Sequence, residues 1–416
     1  MSSKAAAAST LSLFDLPDVP ADDEVVSGDV EVVETEHTLE APGAEPLVDV
    51  TEPVAETATE APPPEPVIEQ TRLFEDAYLL RSPIVGKVYT DEQIIAEAFK
   101  WLRENGFPYR TVPLFVAMQQ INAVSLASEE ALRSTSEAYA VADHFHPHRF
   151  HAEVGGKTSP IDCYNNDEKF THALRLCLEQ AGKIPAGYSG LMWLARGTQA
   201  CSNFRPGFAC WLYRRFCTKG MTVLDTSTGY GGRLVGYISS LIEGHYIGID
   251  PNTLTHAANL KLAETLGFSD KVTLINSPAE DVDHALVAGR CDFSFTSPPY
   301  FSKEHYSEEP TQSWKRYGHS FEAWRDGFLQ PMLKLTFAAL KPGSVAIINI
   351  EDVNIKTKRY PLVKTTVEVA ERIGFKHVGT ELFKMTTRFG GNQDTDVASE
   401  RVLIFRTPSP DGSYVE

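Results

Sequence analysis

Residues 222–234 read TVLDTSTGYGGRL, the pattern of a strand that runs into a Gly-rich turn and then a helix. Glycines in such a turn let the backbone approach a ligand closely, and the start of the helix offers free N–H groups. The next β-branched run, HYIGID, ends at Asp250, 25 residues after Asp225. An acid at the end of this second strand is the expected ligand for ribose hydroxyls. The stretch therefore predicts a nucleotide-type cofactor site at the edge of a parallel sheet.

Short β-branched runs continue to alternate with helical stretches, in KVTLINS, CDFSFTS and SVAIINI (residues 271–277, 291–297 and 344–350). This alternation is typical of a doubly wound α/β sheet. The chain closes with GTELFKMTT and RVLIFRT, which the loop RFGGNQDTD joins without a helix. Two strands joined in this way form an antiparallel pair. The sequence thus predicts a mixed seven-stranded sheet with a terminal antiparallel strand pair.

The chain before the sheet divides into two parts. Residues 1–72 hold nine Pro and, up to residue 70, 17 Asp and Glu against Lys4 alone, with Phe14 as the only large aromatic residue. Such a segment cannot bury enough apolar surface to offset its ordering entropy, so it is predicted to be a disordered acidic tail. Its candidate roles are a spacer, an arm that docks a protein partner, and a mimic of nucleic acid. Residues 73–199 are predicted to be mainly helical, with helices in IIAEAFKWLRENGF, VPLFVAMQQINAVSL and NDEKFTHALRLCLEQAG.

Composition excludes some classes of protein and leaves others open. The formal net charge is −18, but the residues after 70 carry 37 Lys and Arg against 39 Asp and Glu, so acidity does not exclude a polyanionic substrate. No apolar run approaches the ~18 residues that a bilayer span needs, and the N-terminus lacks the pattern of a secretory signal. Six Cys without a C-x2-C pair argue against a zinc site and a disulfide scaffold. These features favour a reducing, intracellular compartment.

The Gly-rich turn resembles a known cofactor motif. Its glycines do not form G-x-G-x-x-G, and G-K-[ST] is absent, but D-x-S-x-G-Y-G-G-R-L resembles motif I of class I S-adenosylmethionine-dependent methyltransferases. The resemblance implies a Rossmann-like methyltransferase domain over residues 200–408, followed by a short tail, 409–416. Upstream, SNFRP resembles motif X of the same enzymes. The cofactor-binding residues implied are Asn203, Phe204, Asp225, Ser227, Gly229, Gly231, Gly232, Asp250 and Glu280.

The fourth strand runs into Ser297–Pro298–Pro299–Tyr300. This string resembles motif IV, [DNS]-P-P-[YFW], of the methyltransferases that modify adenine N6 or cytosine N4 in DNA. An exocyclic amine on a base ring is a poor nucleophile, because its lone pair is delocalised. The Ser297 hydroxyl and a carbonyl of the stiff loop, best assigned to Pro298, would accept its hydrogens, and Tyr300 would stack on a flipped base. Cys291 stands at the start of the strand, which disfavours the Pro-Cys nucleophile of ring-carbon methylation.

The resemblance implies methyl transfer from S-adenosylmethionine to double-stranded DNA, with the base flipped, in the cytoplasm of a bacterium or a phage-infected cell, where it would mark self DNA against restriction. RNA, a free nucleotide or a protein amide remains an alternative substrate, and a non-catalytic binding module remains an alternative role. Little chain is left after residue 300 for a separate recognition domain. Target choice is therefore assigned to residues 73–199 and to the loop after the motif. The predicted substrate contacts are Phe301, His305, Tyr306, Trp314 and Asn349.

A histidine cluster, DHFHPHRFHAE, is the last notable pattern. Alternate positions of an extended segment would put His144, His146 and His148 on one face, where such residues can bind a metal. Amino-methyl transfer needs no metal, so no metal site is predicted. The cluster is interpreted as a polar structural segment, with contact to substrate as the alternative.

Overall fold

The computed structural model describes residues 88–186, 198, 200–384 and 399–414. The predicted acidic tail and the loop RFGGNQDTD lie outside these residues. Helices dominate the described residues from 88 to 181. They are α1 (Asp91–Asn105), α2 (Leu114–Leu126), α3 (Glu129–Ser134), α4 (Tyr139–Phe145), α5 (Pro160–Asn165) and α6 (Asp167–Ala181), with a two-residue strand β1 (Glu153–Val154) between α4 and α5.

Local capping explains where the first long helix begins and ends. The Thr90 side chain accepts a hydrogen bond from the Gln93 backbone N–H, and the Gln93 side chain accepts one from the Thr90 N–H. This capping box satisfies donors that a helix start otherwise leaves free. Gly106 follows the last residue with φ of +78°. The three helices predicted from the sequence in this region are confirmed.

The histidine segment is not extended, so that expectation was wrong. Its first part belongs to α4, and residues Pro147–His151 form a 3₁₀ helix that begins at a proline. Two side-chain interactions in the folded chain explain the difference. The Arg149 guanidinium bonds to the Asp143 carboxylate at 2.9 Å, and the Phe150 ring is buried. These contacts favour a compact helical turn over the extended conformation that the alternating histidines suggested.

The second part of the chain alternates strands and helices. Its elements are α7 (Pro206–Phe216), β2 (Thr222–Asp225), α8 (Gly232–Ser240), β3 (His245–Asp250), α9 (Thr253–Thr265), β4 (Val272–Asn276), β5 (Cys291–Thr296), β6 (Glu304–His305), α10 (Ser313–Tyr317), α11 (Phe321–Trp324), α12 (Gln330–Ala339), β7 (Leu340–Ile350), β8 (Val353–Ile355), β9 (Lys358–Tyr360), α13 (Leu362–Ile373), β10 (Lys376–Lys384) and β11 (Ser399–Arg406). Residues Arg325–Leu329 form a π-helical turn between α11 and α12.

Among the described residues, seven strands form the main sheet in the order β10-β11-β7-β5-β2-β3-β4. The pairs β7–β5, β5–β2, β2–β3 and β3–β4 are parallel, and β11 is antiparallel to both β7 and β10. Central parallel strands are covered on both faces, which explains their continuous apolar runs. Phe293 and Phe295 on β5 are fully buried on one face, and Ile348 on β7 is buried on the other. This is the Rossmann-like fold of class I methyltransferases, and the predicted fold class is confirmed.

The helical region and the sheet share one core. Residues Tyr89–Glu416 form a single compact unit. Val124 of α2 and Leu132 of α3 are fully buried in the same apolar cluster as Leu212 of α7 and Phe293 of β5. In the described part of the chain, no helix is both long and apolar enough to cross a membrane.

Candidate functional site

A cavity of about 710 Å³ lies at the carboxyl ends of β2, β3, β5 and β7. Ligands of doubly wound sheets bind at this edge, because the loops that follow parallel strands meet there. The structure brings the predicted cofactor turn and the S-P-P-Y corner to this one cavity. The predicted residues that line it are Asn203, Phe204, Ser227, Gly229, Asp250, Glu280, Ser297, Pro298, Pro299, Tyr300, Tyr306 and Asn349.

Six predicted site residues do not line the cavity, namely Asp225, Gly231, Gly232, Phe301, His305 and Trp314. Several lining residues had no place in the sequence-based site. The most important of these are Arg233, Lys303, Glu304 and Glu400.

Asp225 lies in the core below the turn and not in the cavity. Its carboxylate accepts hydrogen bonds from Arg233 Nε at 2.8 Å and from the Tyr246 hydroxyl at 2.7 Å. Burial opposes the charge of Arg233, but the Asp225 carboxylate outweighs it and raises the pKa of the guanidinium. Arg233 also donates to the Ser227 carbonyl. The acid of the D-x-S-x-G pattern therefore holds an arginine that braces the turn from beneath.

The turn itself needs glycine for two different reasons. Gly229 and Gly231 have φ of +61° and +75°, a conformation that favours glycine. Only Gly229 of the three predicted glycines lines the cavity. A Cβ on Gly231 would lie 2.7 Å from His146 Cε1, and one on Gly232 would lie 2.0 Å from the Phe204 carbonyl oxygen. Gly231 is therefore explained by close packing against His146 of the helical region, and Gly232 by close packing against the backbone of Phe204.

We expect Gly232→Ala to lower the free energy of unfolding by about 1–3 kcal/mol, as overpacking of a tight contact does. Gly232 begins α8 and does not have a positive φ, so backbone strain adds nothing to this cost. Urea unfolding measures it. Gly379→Ala is the matched control, because its new Cβ would meet only Ile404 Cδ1, at 3.8 Å. Equal stability of the two variants would contradict the packing argument.

Asp250 ends β3 at the cavity wall. One carboxylate oxygen accepts the Gly229 N–H at 2.8 Å and the other accepts the Asn252 N–H at 2.9 Å. Burial raises the pKa of this carboxyl from 3.8 to about 6, although the two N–H groups act in the opposite direction. Each oxygen keeps a further lone pair, so the carboxylate can still accept from a ligand hydroxyl.

Three other predicted cofactor contacts, Glu280, Asn203 and Phe204, are each held by a neighbouring group. Burial raises the pKa of Glu280, whose carboxylate accepts from the Tyr317 hydroxyl at 3.0 Å and pairs with Arg316 at 3.3 Å. Asn203 donates from Nδ2 to the Tyr230 carbonyl at 2.7 Å, which ties the strip before α7 to the Gly-rich turn. Phe204 stacks on Phe383, with ring centroids 4.9 Å apart.

The S-P-P-Y corner carries a polar network. Asn349 Nδ2 lies 3.2 Å from Ser297 Oγ, 2.8 Å from the Tyr300 hydroxyl and 2.8 Å from Glu400 Oε2. The Tyr300 hydroxyl donates to the same Glu400 oxygen at 2.9 Å. Asn349 Oδ1 is buried and has no hydrogen-bond partner among the described residues. A buried acceptor without a partner is costly, so this oxygen is a candidate contact for a donor on a ligand.

In the loop that follows the corner, most of the predicted aromatic residues pack against other rings and do not line the cavity. Phe301 packs among Phe321, Trp324 and Tyr360, and His305 stacks on Trp314 with centroids 4.0 Å apart. Phe301, His305 and Trp314 thus pack against other rings and do not line the cavity. In the same loop, β6 pairs with β1 of the helical region.

Tyr306 is the aromatic residue of this loop that lines the cavity. Its hydroxyl donates to Glu304 Oε2 at 2.5 Å, and burial raises the pKa of Glu304. The loop thus supplies to the cavity a carboxylate that was not among the predicted contacts.

The histidines lie behind the turn, against the base of the site. Burial lowers the pKa of His146 to about 3 and that of His148 to about 4, so both rings are neutral at neutral pH. His148 Nε2 lies 2.9 Å from Thr255 Oγ1. Within the described ranges, no three His, Cys, Asp or Glu side chains are grouped as metal ligands.

No protein-family model matches this chain, and no curated protein matches it in sequence. Solved structures similar to it include an S-adenosylmethionine-dependent O-methyltransferase from Thermotoga maritima, at 11% identity and a TM-score of 0.34, covering 50% of this chain and 67% of that one. A candidate rRNA methylase from Clostridium thermocellum has 16% identity and a TM-score of 0.32, covering 50% and 99%. A candidate DNA modification methylase from Thermus thermophilus has 21% identity and a TM-score of 0.25, covering 34% and 53%. These sequence identities and TM-scores identify no family and select no substrate.

Proposed function

We propose that this protein transfers a methyl group from S-adenosylmethionine to the exocyclic amine of a base in DNA, adenine N6 or cytosine N4. One observation carries the proposal. Gly229 and Asp250 form the predicted cofactor cradle, and residues Ser297–Tyr300 form the S-P-P-Y corner. The cradle and the corner line the same cavity, although they are separated in the chain. Its volume of about 710 Å³ falls within the range of about 300–1,000 Å³ that small-molecule and cofactor sites occupy.

The residues of the cradle fit the cofactor. Gly229 keeps side-chain atoms away from the ligand, and the Asp250 carboxylate, pre-oriented by two backbone N–H groups, can accept from ribose hydroxyls. Glu280, held by Tyr317 and Arg316, would face the adenine. When bound, the cofactor supplies an electrophilic methyl carbon.

The corner supplies acceptors for the amine. Ser297 Oγ and the carbonyl of Pro298 can take its two hydrogens, which drives the nitrogen towards a tetrahedral, nucleophilic geometry. The Tyr300 ring lines the cavity and its hydroxyl is tied to Glu400 and Asn349, so the plane of the ring is fixed before a base arrives. A rigid ring loses little entropy on stacking.

The charge of the cavity bears on the form of the substrate. Six carboxylates line it, against two cations, one of which, Arg233, is already paired with Asp225. The carboxylates are Asp250, Glu280, Glu304, Glu351, Asp352 and Glu400. Three of them, Glu280, Glu351 and Asp352, pair with arginines outside the cavity, which leaves Asp250, Glu304 and Glu400 against Lys303. Phosphates would be repelled from such a wall, whereas an uncharged base with an N–H donor would not. This favours a flipped base with its phosphates outside over a free nucleotide.

Mass spectrometry of nucleosides tests the proposal. The protein is incubated with labelled S-adenosylmethionine and DNA, RNA, free nucleotides or a peptide carrying Asn and Gln. We expect label in N6-methyladenine or N4-methylcytosine from DNA. Label confined to RNA, to nucleotides or to the peptide would reassign the substrate, and no label in any of them would favour a non-catalytic module.

We expect cofactor affinity to depend on pH through Asp250. The ionised carboxylate is the form that accepts ribose hydroxyls, and its pKa in the free protein is about 6. Affinity should therefore be nearly constant above pH 7 and fall by about tenfold between pH 7 and pH 5. Calorimetric titration with S-adenosylhomocysteine measures this. Asp250→Asn should bind more weakly at pH 8 and lose this dependence, and an unchanged pH profile in that variant would contradict the assignment.

A further inference from the structure

Glu400 brings a carboxylate to the S-P-P-Y corner from a different part of the fold. It lies near the start of β11, 100 residues after Tyr300, and lines the cavity. Its Oε2 accepts from the Tyr300 hydroxyl at 2.9 Å and lies 2.8 Å from Asn349 Nδ2. Among the described residues, its other oxygen, Oε1, has no hydrogen-bond partner. One oxygen is therefore fixed by the corner, and the other is available to a ligand.

The corner itself lacks an anionic acceptor. Its first residue is Ser297, where the pattern [DNS]-P-P-[YFW] also allows Asp. A hydroxyl is neutral, and hydrogen bonds to an ionised acceptor are roughly twice as strong as those between neutral groups. Asn349 lies between the two side chains, 3.2 Å from Ser297 Oγ and 2.8 Å from Glu400 Oε2. Glu400 thus lies two hydrogen bonds from the serine, through Asn349, on the same wall.

We propose that Glu400 accepts a hydrogen of the substrate amine and takes its proton during methyl transfer, a role that rests on the proposed function. The amine lone pair forms the N–C bond to the methyl carbon, and the C–S bond breaks with its electron pair remaining on sulfur. The N–H proton passes to the Glu400 carboxylate and from there to solvent. Ser297 Oγ shares this hydrogen with Glu400 and the Pro298 carbonyl accepts the other, while Asn349 holds the serine and the glutamate in register.

The first test compares single-turnover rates with saturating cofactor and DNA. Glu400→Gln keeps the size of the side chain and removes the charge, and we expect it to lower the rate by about 10²–10³-fold, within the range of general acid–base contributions. Cofactor affinity should stay within about threefold of wild type. Glu368→Gln is the matched control, because its carboxylate is exposed on α13 and, within the part of the chain that the structure describes, pairs only with Lys364. Melting curves show that each variant is folded.

The second test separates proton transfer from positioning of Tyr300. Tyr300→Phe removes the hydroxyl that Glu400 binds, and we expect it to lower the rate by less than about tenfold. Added formate should partly restore Glu400→Ala and should not change Glu400→Gln or wild type. Rescue of this kind requires a missing carboxylate and not a disturbed ring.

The outcomes are distinct. A wild type that methylates DNA while Glu400→Gln stays within fivefold of it overturns the role of Glu400 alone. The same holds if Tyr300→Phe loses as much rate as Glu400→Gln, since Glu400 would then act only by holding the ring. A wild type that transfers no methyl group to any substrate overturns the proposed function, and this role with it.

Discussion

Arg233→Met is expected to lower the free energy of unfolding by about 3–5 kcal/mol, because it leaves the Asp225 charge buried without its partner. The two side chains are 5% and 0% exposed and are joined at 2.8 Å. Methionine fills much of the same volume, so the loss of charge pairing dominates over a cavity. Tyr246 still donates to Asp225 but cannot neutralise it. Chemical denaturation of both proteins at neutral pH measures the difference.

The double variant Asp225→Asn with Arg233→Met gives the control. It removes both charges, and we expect it to recover at least half of the stability lost by the single variant, since breaking a buried pair costs more than replacing it. A single variant that loses less than about 1 kcal/mol would mean that the pair does not brace the turn. If the double variant is no more stable than the single variant, the stability lost by Arg233→Met comes from altered packing and not from the unpaired charge.

Tyr300→Ala is expected to reduce kcat/KM for DNA methylation by about 5- to 150-fold. Stacking of one base on an aromatic ring is worth about 1–3 kcal/mol, and 1.4 kcal/mol corresponds to a factor of ten. The ring is 6% exposed and lines the cavity, so its removal also leaves a gap in the wall. Nucleoside mass spectrometry of timed reactions measures the rate, with DNA from a host that lacks the modification.

Tyr300→Phe is the variant against which this loss is judged. Phenylalanine keeps the stacking face, and it should retain most of the activity that alanine loses. Thermal melting separates a folding defect from a loss of base binding. A Tyr300→Ala enzyme that is folded and works within twofold of wild type would show that the ring does not hold the base.

Local signals were enough for the long helices before the sheet and for the seven strands of the main sheet. The capping box at Thr90 and the glycine after residue 105 lie next to the helix that they delimit, and the strand runs of 200–408 alternate with helical periodicity. The prediction of an extended histidine segment was wrong because the conformation of the segment depends on the Asp143–Arg149 pair and on the burial of Phe150. Neither contact leaves a signal in the alternation of residues.

The residues of the candidate site also fall into two groups, those that neighbouring positions indicate and those that only distant contacts place. Ser297, Pro298 and Tyr300 are adjacent in the chain, so a motif could point to them. Arg233 is part of the quoted pattern, yet nothing in the letters indicates that Asp225 turns inward to meet it. Glu400 could not be associated with Tyr300 at all, because 100 residues separate them and strand pairing alone brings them together.

From its residues alone, this chain can be assigned a mixed α/β sheet, a cofactor-type glycine turn and a double-proline corner, because each of these is written in neighbouring positions. Folding of the chain then divides the motif residues between cavity and core and brings the carboxylates of Glu304 and Glu400 to the chemical end of the cavity. The physical reason is that burial and strand register act between distant segments. A side chain's direction and its partners depend on what packs behind it, and no local pattern records that.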